Sequence, residues 1–233
     1  MGEKIAIFYH NYQLVNSPDV SFDFYENLYE EQIYSLATSG LLEACQFLHI
    51  GILGETTPNW VPKKSIITYH PKELWNRAEA PTLRLIRDFC LKEENQDYKI
   101  LYFHQKGLKD IGKNCKRYWR IVMEYFLIHR WKEAIKTLDN YDCVGVNYVT
   151  DTFLGRYPHF SGNFWWANAK HIKNLDHSYL DDHFELGAML NGLRKEFWIG
   201  SSPNLNPYCI HDTKMGEGGH YHHMYPPQNY IDL

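Results

Sequence analysis

The 233-residue sequence has no run approaching the ~20 apolar residues of a membrane-spanning helix. Its apolar start, within "MGEKIAIFYH", is too short for a signal peptide, and Ala6 stands where a myristoylation motif wants Ser or Thr. The five cysteines, Cys45, Cys90, Cys115, Cys143 and Cys209, lie far apart with no C-x-x-C among them. Neither a disulfide framework nor a thiolate zinc site is indicated, and a reducing, cytoplasmic setting is the expectation. Excess charge is missing too: a formal net charge of -4 exerts no overall pull on nucleic acid, so any anion site must be local. No Walker A or Rossmann glycine fingerprint occurs, and there is no internal repeat or low-complexity tract.

What is present is a chain long enough for one well-buried domain, 44% hydrophobic and 22% charged. Lys4 to Tyr9 reads as a strand, and "HNYQLVNSPD" as the polar loop after it. From Phe22 to Ser39 the positions Tyr25, Leu28, Tyr29, Ile33 and Leu36 recur at helical spacing, with Gly40 as a stop. Strands are expected at Cys45 to Ile52, over "SIITYH" and at Lys99 to Phe103, and another over 141 to 148. Pro81 opens a helix to about Lys92, and Cys115 to Leu138 reads as a long amphipathic helix. Such alternation predicts an α/β layered domain with a mostly parallel sheet, whose ligand sits beyond the strand carboxyl ends, where His10, His70 and His104 lie.

Further on, "HFSGNFWWANAKHIKNL" reads as a Gly-containing loop entering a short helix, "YLDDHFELGAMLNGL" as a helix, and "EFWIGSSPNLNPYCIHD" as a short strand and loop. The domain is placed at 1–210, with a Gly-, His-, Tyr- and Pro-rich tail or lid at 211–233 that is expected to be mobile or draped, with little regular structure.

Five constellations carry chemistry. His104, Gln105, Lys106 and Gly107 offer an imidazole, an ammonium suited to a phosphate oxygen and a close backbone approach; a solvated strand-end turn is the plain alternative. In "SGNFWW", Asn163 donates and accepts while Trp165 and Trp166 offer flat faces of the kind that pack on sugar rings, or else fill the core. Asp181 and Asp182 open an expected helix, where capping alone would explain them, whereas Glu196, between Arg194 and Lys195 and an aromatic run, suits a partly desolvated carboxylate. Glu79, Pro81 and Thr82 form a helix start that would meet an anion or simply begin a helix. His220, His222 and His223 in the tail would supply a metal ligand on a lid or bind nothing.

The order "FHQKG", "YWR", "YDCVGVNY", "HFSGNFWWA", "EFWIG" resembles a family of small glycosyltransferases. It includes the N-terminal glycosyltransferase domain of chlorovirus capsid-glycosylating enzymes and related bacterial surface-polysaccharide enzymes. The family's first motif is close to "YFHTKG", so Gln105 replaces a Thr, and the resemblance covers about residues 1 to 210. It implies a GT-A-like fold, a nucleotide-sugar donor, usually a uridine diphosphate sugar, a glycan or glycoprotein acceptor, and a divalent metal such as manganese. Most GT-A enzymes hold that metal with an Asp-x-Asp after the central strand, and this sequence has none. The resemblance puts His104 to Lys106 in that slot, so that either His104 is the metal ligand or Lys106 neutralises the diphosphate. It also implies that His10, Glu79 and Thr82 line the nucleotide pocket and that Asp181, Asp182 or Glu196 supplies the catalytic carboxylate. Asn163, Trp165, Trp166 and Trp198 then lie near donor or acceptor sugar. A noncatalytic carbohydrate-binding module built on the Trp165/Trp166 platform is the competing expectation.

Overall fold

The computed structural model describes residues 2–13, 22–108, 114–150, 158–181, 194–216 and 218–231. The chain forms an α/β layered fold around a mostly parallel seven-stranded sheet. Strands β1 (Lys4–Tyr12), β2 (Phe47–Leu53), β3 (Ser65–Tyr69), β4 (Tyr98–His104) and β5 (Cys143–Val146) are followed by a two-stranded ribbon, β6 (Tyr148–Val149) with β7 (His159–Phe160). β8 (Trp165–Asn168) and β9 (Pro207–His211) complete the sheet in the order β3-β2-β1-β4-β8-β5-β9. β8 alone runs antiparallel to its neighbours β4 and β5.

The helices are α1 (Phe22–Thr38), α2 (Leu41–Ala44), α3 (Ala80–Cys90), α4 (Asn114–Glu124), α5 (Trp131–Thr137), α6 (Ala169–Lys173) and α7 (Arg194–Phe197). They cover both faces of the sheet, which is why β1 and β4 read as continuous apolar runs instead of alternating ones. On one face Ile7, Tyr9, Leu101, Phe103 and Trp166 pack with Tyr29 and Ile33 of α1 and with Val122 and Met123 of α4. On the other, Phe8, Ile100, Tyr102 and Trp165 pack with Leu83 and Ile86 of α3 and with Ile172 of α6. Full burial of one such Leu, Ile or Phe side chain is worth about 1.5–3 kcal/mol.

Several expectations need correction. "WWAN" is the antiparallel strand β8, where a loop is expected, because each of its tryptophans has a separate core to fill. "EFWIG" is the end of α7 and a single 3-10 turn, Trp198–Gly200, where a strand is expected; the strand of that region is β9. A wide π-type turn, Tyr125–His129, divides the long helix into α4 and α5. The helix expected after Tyr179 falls largely on residues 182–193, outside the described residues. The described residues of the tail carry two single 3-10 turns, and His220 and Tyr230 are buried. No helix among the described residues is long and apolar enough to cross a membrane.

Candidate functional site

β1 connects to β2 on one side and lies beside β4 on the other, so strand order reverses between β1 and β4. Beyond the carboxyl ends of such a pair an open α/β sheet leaves a crevice. His104 ends β4 and is in register with His10, two residues before the end of β1, and Gly51 of β2 is registered with His10 on the opposite side. α3 starts above them, with Glu79 as its N-cap and Thr82 in its first turn.

These residues form one polar cluster. Tyr102 donates its hydroxyl to Glu79 Oε2 at 2.9 Å, and the Asn163 amide donates to the same oxygen. His104 Nε2 lies 3.6 Å from Glu79 Oε1 and 3.0 Å from the Gly162 carbonyl oxygen. His10 Nδ1 is 2.8 Å from Thr82 Oγ1, which is 3.3 Å from His70 Nε2. Asn163 reaches Glu79 from a tight turn between β7 and β8, closed by its N–H donating to Phe160 O at 3.0 Å. Gly162 in that turn has φ 98° and Asn163 φ 57°, left-handed values that glycine, and asparagine better than most, adopt. Trp165 Nε1 donates to Asn163 Oδ1 at 2.9 Å and fixes which way the amide faces.

Electrostatics sharpen the picture. Burial alone would raise the Glu79 carboxyl, but His104, His10, Lys106 and the Asn163 amide together outweigh it and hold it below its ordinary value. Burial pushes His104 below the usual imidazole range against the pull of Glu79, and pushes His10 down to about 3 and His70 to about 4. Near neutral pH the cluster is therefore a carboxylate among uncharged imidazoles. The Glu79 side chain keeps 19% of its exposure, so it is not sealed in.

At the rim, Lys106 Nζ sits 4.0 Å above the Trp119 ring, and His220 of the tail stacks on that ring at 5.1 Å. Glu196 Oε2 is 3.4 Å from the Gly162 N–H. Underneath, Gln32 donates to the His104 carbonyl at 3.1 Å and to Glu124 at 2.7 Å while accepting from Tyr9. Gln105 accepts from the Tyr12 N–H at 3.0 Å. Buried side-chain amides thus tie the ends of β1 and β4 together.

The structure gathers His10, Glu79, Thr82, His104 and Asn163, with Lys106 and Glu196 at the edge. It does not expose the tryptophans: Trp165, Trp166 and Trp198 are each 0% exposed, so the expected sugar-stacking platform is core packing on both sheet faces. Asp181 stands exposed at the end of the 3-10 turn His177–Leu180 and makes no hydrogen bond to the cluster among the described residues; Asp182 lies outside them. Tyr102, Gly51 and Gln32 were not candidates from sequence. Tyr102 had a usable signal, because it is two residues before His104 on a strand and so shares its face.

Among the described residues no three His, Cys, Asp or Glu side chains converge on a point that would hold an ion. His104 and Glu79 approach each other, yet His104 Nε2 is engaged by Gly162 and Glu79 Oε2 by two donors. That arrangement does not fit a metal held by His104 and its described neighbours. A depression of about 390 Å³ lined by Asp142, Lys170, His171, Asn174 and Ser202 lies elsewhere, at the amino end of β5. The cluster at the carboxyl ends of β1 and β4 is the better-placed site for a ligand.

Comparison with known proteins adds a family and a distant likeness. The chain belongs to the family described as Domain of unknown function (DUF8361), which matches residues 8–185. No curated protein matches it. Among solved structures, the bifunctional IspDF from Campylobacter jejuni is similar at 11% identity and a TM-score of 0.40, over 83% of this chain and 46% of that one. This chain thus spans under half the length of that structure.

Proposed function

We propose that this member of the family is a cytoplasmic glycosyltransferase. It would move a sugar from a nucleoside-diphosphate donor, a uridine diphosphate sugar, to a glycan or glycoprotein acceptor. The observation that carries the reading is the Glu79 cluster with Lys106 beside it, at the carboxyl ends of the two strands where sheet order reverses. A GT-A-like reading of the α/β sheet is consistent with that placement and belongs to the same proposal.

In such a transfer the bond from the anomeric carbon to the diphosphate breaks and its electron pair leaves on the diphosphate. The acceptor oxygen forms the new bond and gives up its proton. Lys106 supplies a point charge for the departing phosphates, and preorganised charge of this kind stabilises the transition state. Two carboxylates face the cleft from different surroundings, which suits different roles. Glu79, anionic and held by Tyr102 and Asn163, steadies the positive character that develops on the sugar. Glu196, whose side-chain hydrogen bond among the described residues is the long contact to the Gly162 N–H, takes the acceptor proton. Asn163 is buried and acts through Glu79, to which its amide donates. The resemblance implies manganese, but the described side chains do not fit it, so no step here runs through a metal.

The test is calorimetric titration of the protein with uridine diphosphate and with guanosine diphosphate, each with and without manganese. Saturable binding of one nucleotide, lost in Lys106→Ala, is the expected result. A folded protein that binds neither nucleotide would overturn the proposal. Glu196→Gln should keep nucleotide binding while losing turnover by about 10²–10⁴-fold, the usual contribution of a general base.

A further inference from the structure

Two hydrogen-bond acceptors face each other at the depression by the amino end of β5. His171 of α6 and Asp142, just before β5, both line it. His171 Nε2 is 3.3 Å from the Ile199 carbonyl oxygen, which can only accept, so the ring proton sits on Nε2 and Nδ1 is left as a bare lone pair. That nitrogen lies 4.0 Å from Asp142 Oδ2, too far for a hydrogen bond. A second proton on the ring would join the two. His171 is only 5% exposed, however, and burial lowers the imidazole below its ordinary range against the pull of the Ile199 carbonyl and of Asp142.

The carboxylate is held from behind. The Asp142 N–H donates to Asn206 O at 2.9 Å, its carbonyl accepts from the Asn168 N–H at 3.0 Å, and its Oδ2 accepts from the Asn206 N–H at 3.0 Å. Its Oδ1 accepts no hydrogen bond among the described residues, and the side chain is 34% exposed. Two acceptors this close repel unless hydrogen-bond donors come between them. Water supplies such donors, but two hydroxyls on one carbon skeleton displace two waters for one bound molecule. The other groups at the depression disfavour a charged ligand: the Lys170 ammonium balances the one carboxylate, and Ser202 and Asn174 are neutral. The Asn174 amide nitrogen donates to Lys170 O at 3.0 Å, which leaves its oxygen as a further acceptor. The volume of about 390 Å³ falls within the range of small-molecule sites, about 300–1,000 Å³.

We propose that this depression is a second binding site, for the neutral vicinal diol of a sugar: one hydroxyl donates to His171 Nδ1, its neighbour donates to Asp142, and Lys170 donates to a sugar oxygen. The amino end of β5 is the opposite end of the sheet from Glu79, so the site takes no part in the chemistry there and does not rest on the glycosyltransferase reading. A sugar held here is held by its hydroxyls alone, without a phosphate, and this separates the site from the crevice beside Lys106.

The experiment is a long-range proton–nitrogen correlation spectrum of the full chain labelled with nitrogen-15 in histidine, near neutral pH, titrated with the methyl α-glycosides of glucose, mannose and galactose. Free wild type is expected to show His171 protonated at Nε2 with Nδ1 bare, and at least one glycoside to move those signals saturably. The same glycoside with every hydroxyl O-methylated should leave them in place. Asp142→Asn, which keeps the shape and one oxygen, should weaken the glycoside about tenfold or more, as for one hydrogen bond to a charged group. If that variant does not fold, the methylated glycoside on wild type still decides. A His171 protonated at Nδ1 or at both nitrogens, silence towards all three glycosides, or an equal response to the methylated sugar or to ethylammonium overturns the proposal. Uridine diphosphate titration of the same sample separates the two ideas. Sugar binding at His171 without nucleotide binding sinks the transferase reading alone, and nucleotide binding without a response at His171 sinks this one alone.

Discussion

At the scale of single residues, the site depends on groups whose size matters more than their charge. Gly51 has an ordinary place in β2, but Thr82 and His70 lean over it so closely that any Cβ collides. Gly51→Ala should destabilise the fold by about 1–3 kcal/mol, the usual effect of overpacking, and should also disturb the His10 ring. Urea unfolding with histidine spectra checks both, and Gly40→Ala is the contrast. At Gly40 a Cβ meets nothing within 4 Å, and only the backbone value of φ 75° resists it. Equal effects of the two substitutions would mean that Gly51 is not crowded. Little of this is visible in sequence. His10, His104, Glu79 and Thr82 are recognisable because polar residues that end apolar runs or open helices stand out locally. Gly51 and Gln32 do their work with residues distant in the chain, Gly51 with Thr82 and Gln32 with His104, and no local pattern announces it.

Among elements, β8 shows where sequence and structure part. A four-residue strand with a tryptophan on each face has no polar–apolar alternation, so it reads as a loop; only its place between two cores explains it. β1, β2 and β4, long apolar runs ended by polar residues, were readable in the sequence, as were α1 and α3 from their spacing and helix signals. Trp166 adds a specific tie, donating its indole N–H at 2.7 Å to Leu127 O within the π-type turn that divides α4 from α5. Trp166→Phe keeps an aromatic ring but loses the indole N–H donor, a loss of about 1–3 kcal/mol for the unpaired buried carbonyl, to which the smaller ring adds a packing cost. A thermal shift of under 1 °C would contradict the role given to this bond, and hydrogen exchange at 125–131 would locate any loosening.

For the molecule as a whole, buried imidazoles set the response to acid. Burial lowers His10 to about 3 and both His70 and His220 to about 4, against 6.5 when unfolded. In the interval between those values the unfolded chain holds more protons than the folded one, so stability falls as pH falls. Each such histidine contributes about 1.4 kcal/mol per pH unit across its window. The urea midpoint should be level above pH 7 and drop steeply from about 6.5 towards 4. A midpoint that held steady through that interval would show the three rings to be solvated.

The position of β8 also orders events in time. β1, β2, β3 and β4 can pair as soon as residue 104 has left the ribosome, since each neighbour is already made. β5 cannot join them, because the strand that bridges it to β4 is encoded after it, at Trp165–Asn168. During synthesis the chain therefore carries a finished half-sheet with an open β4 edge for some sixty residues, about 3–12 s at ordinary elongation rates, and over roughly the last twenty of them an unattached β5 as well. In that interval the β4 edge is an open template, and its first legitimate occupant is a tryptophan pair still to be translated.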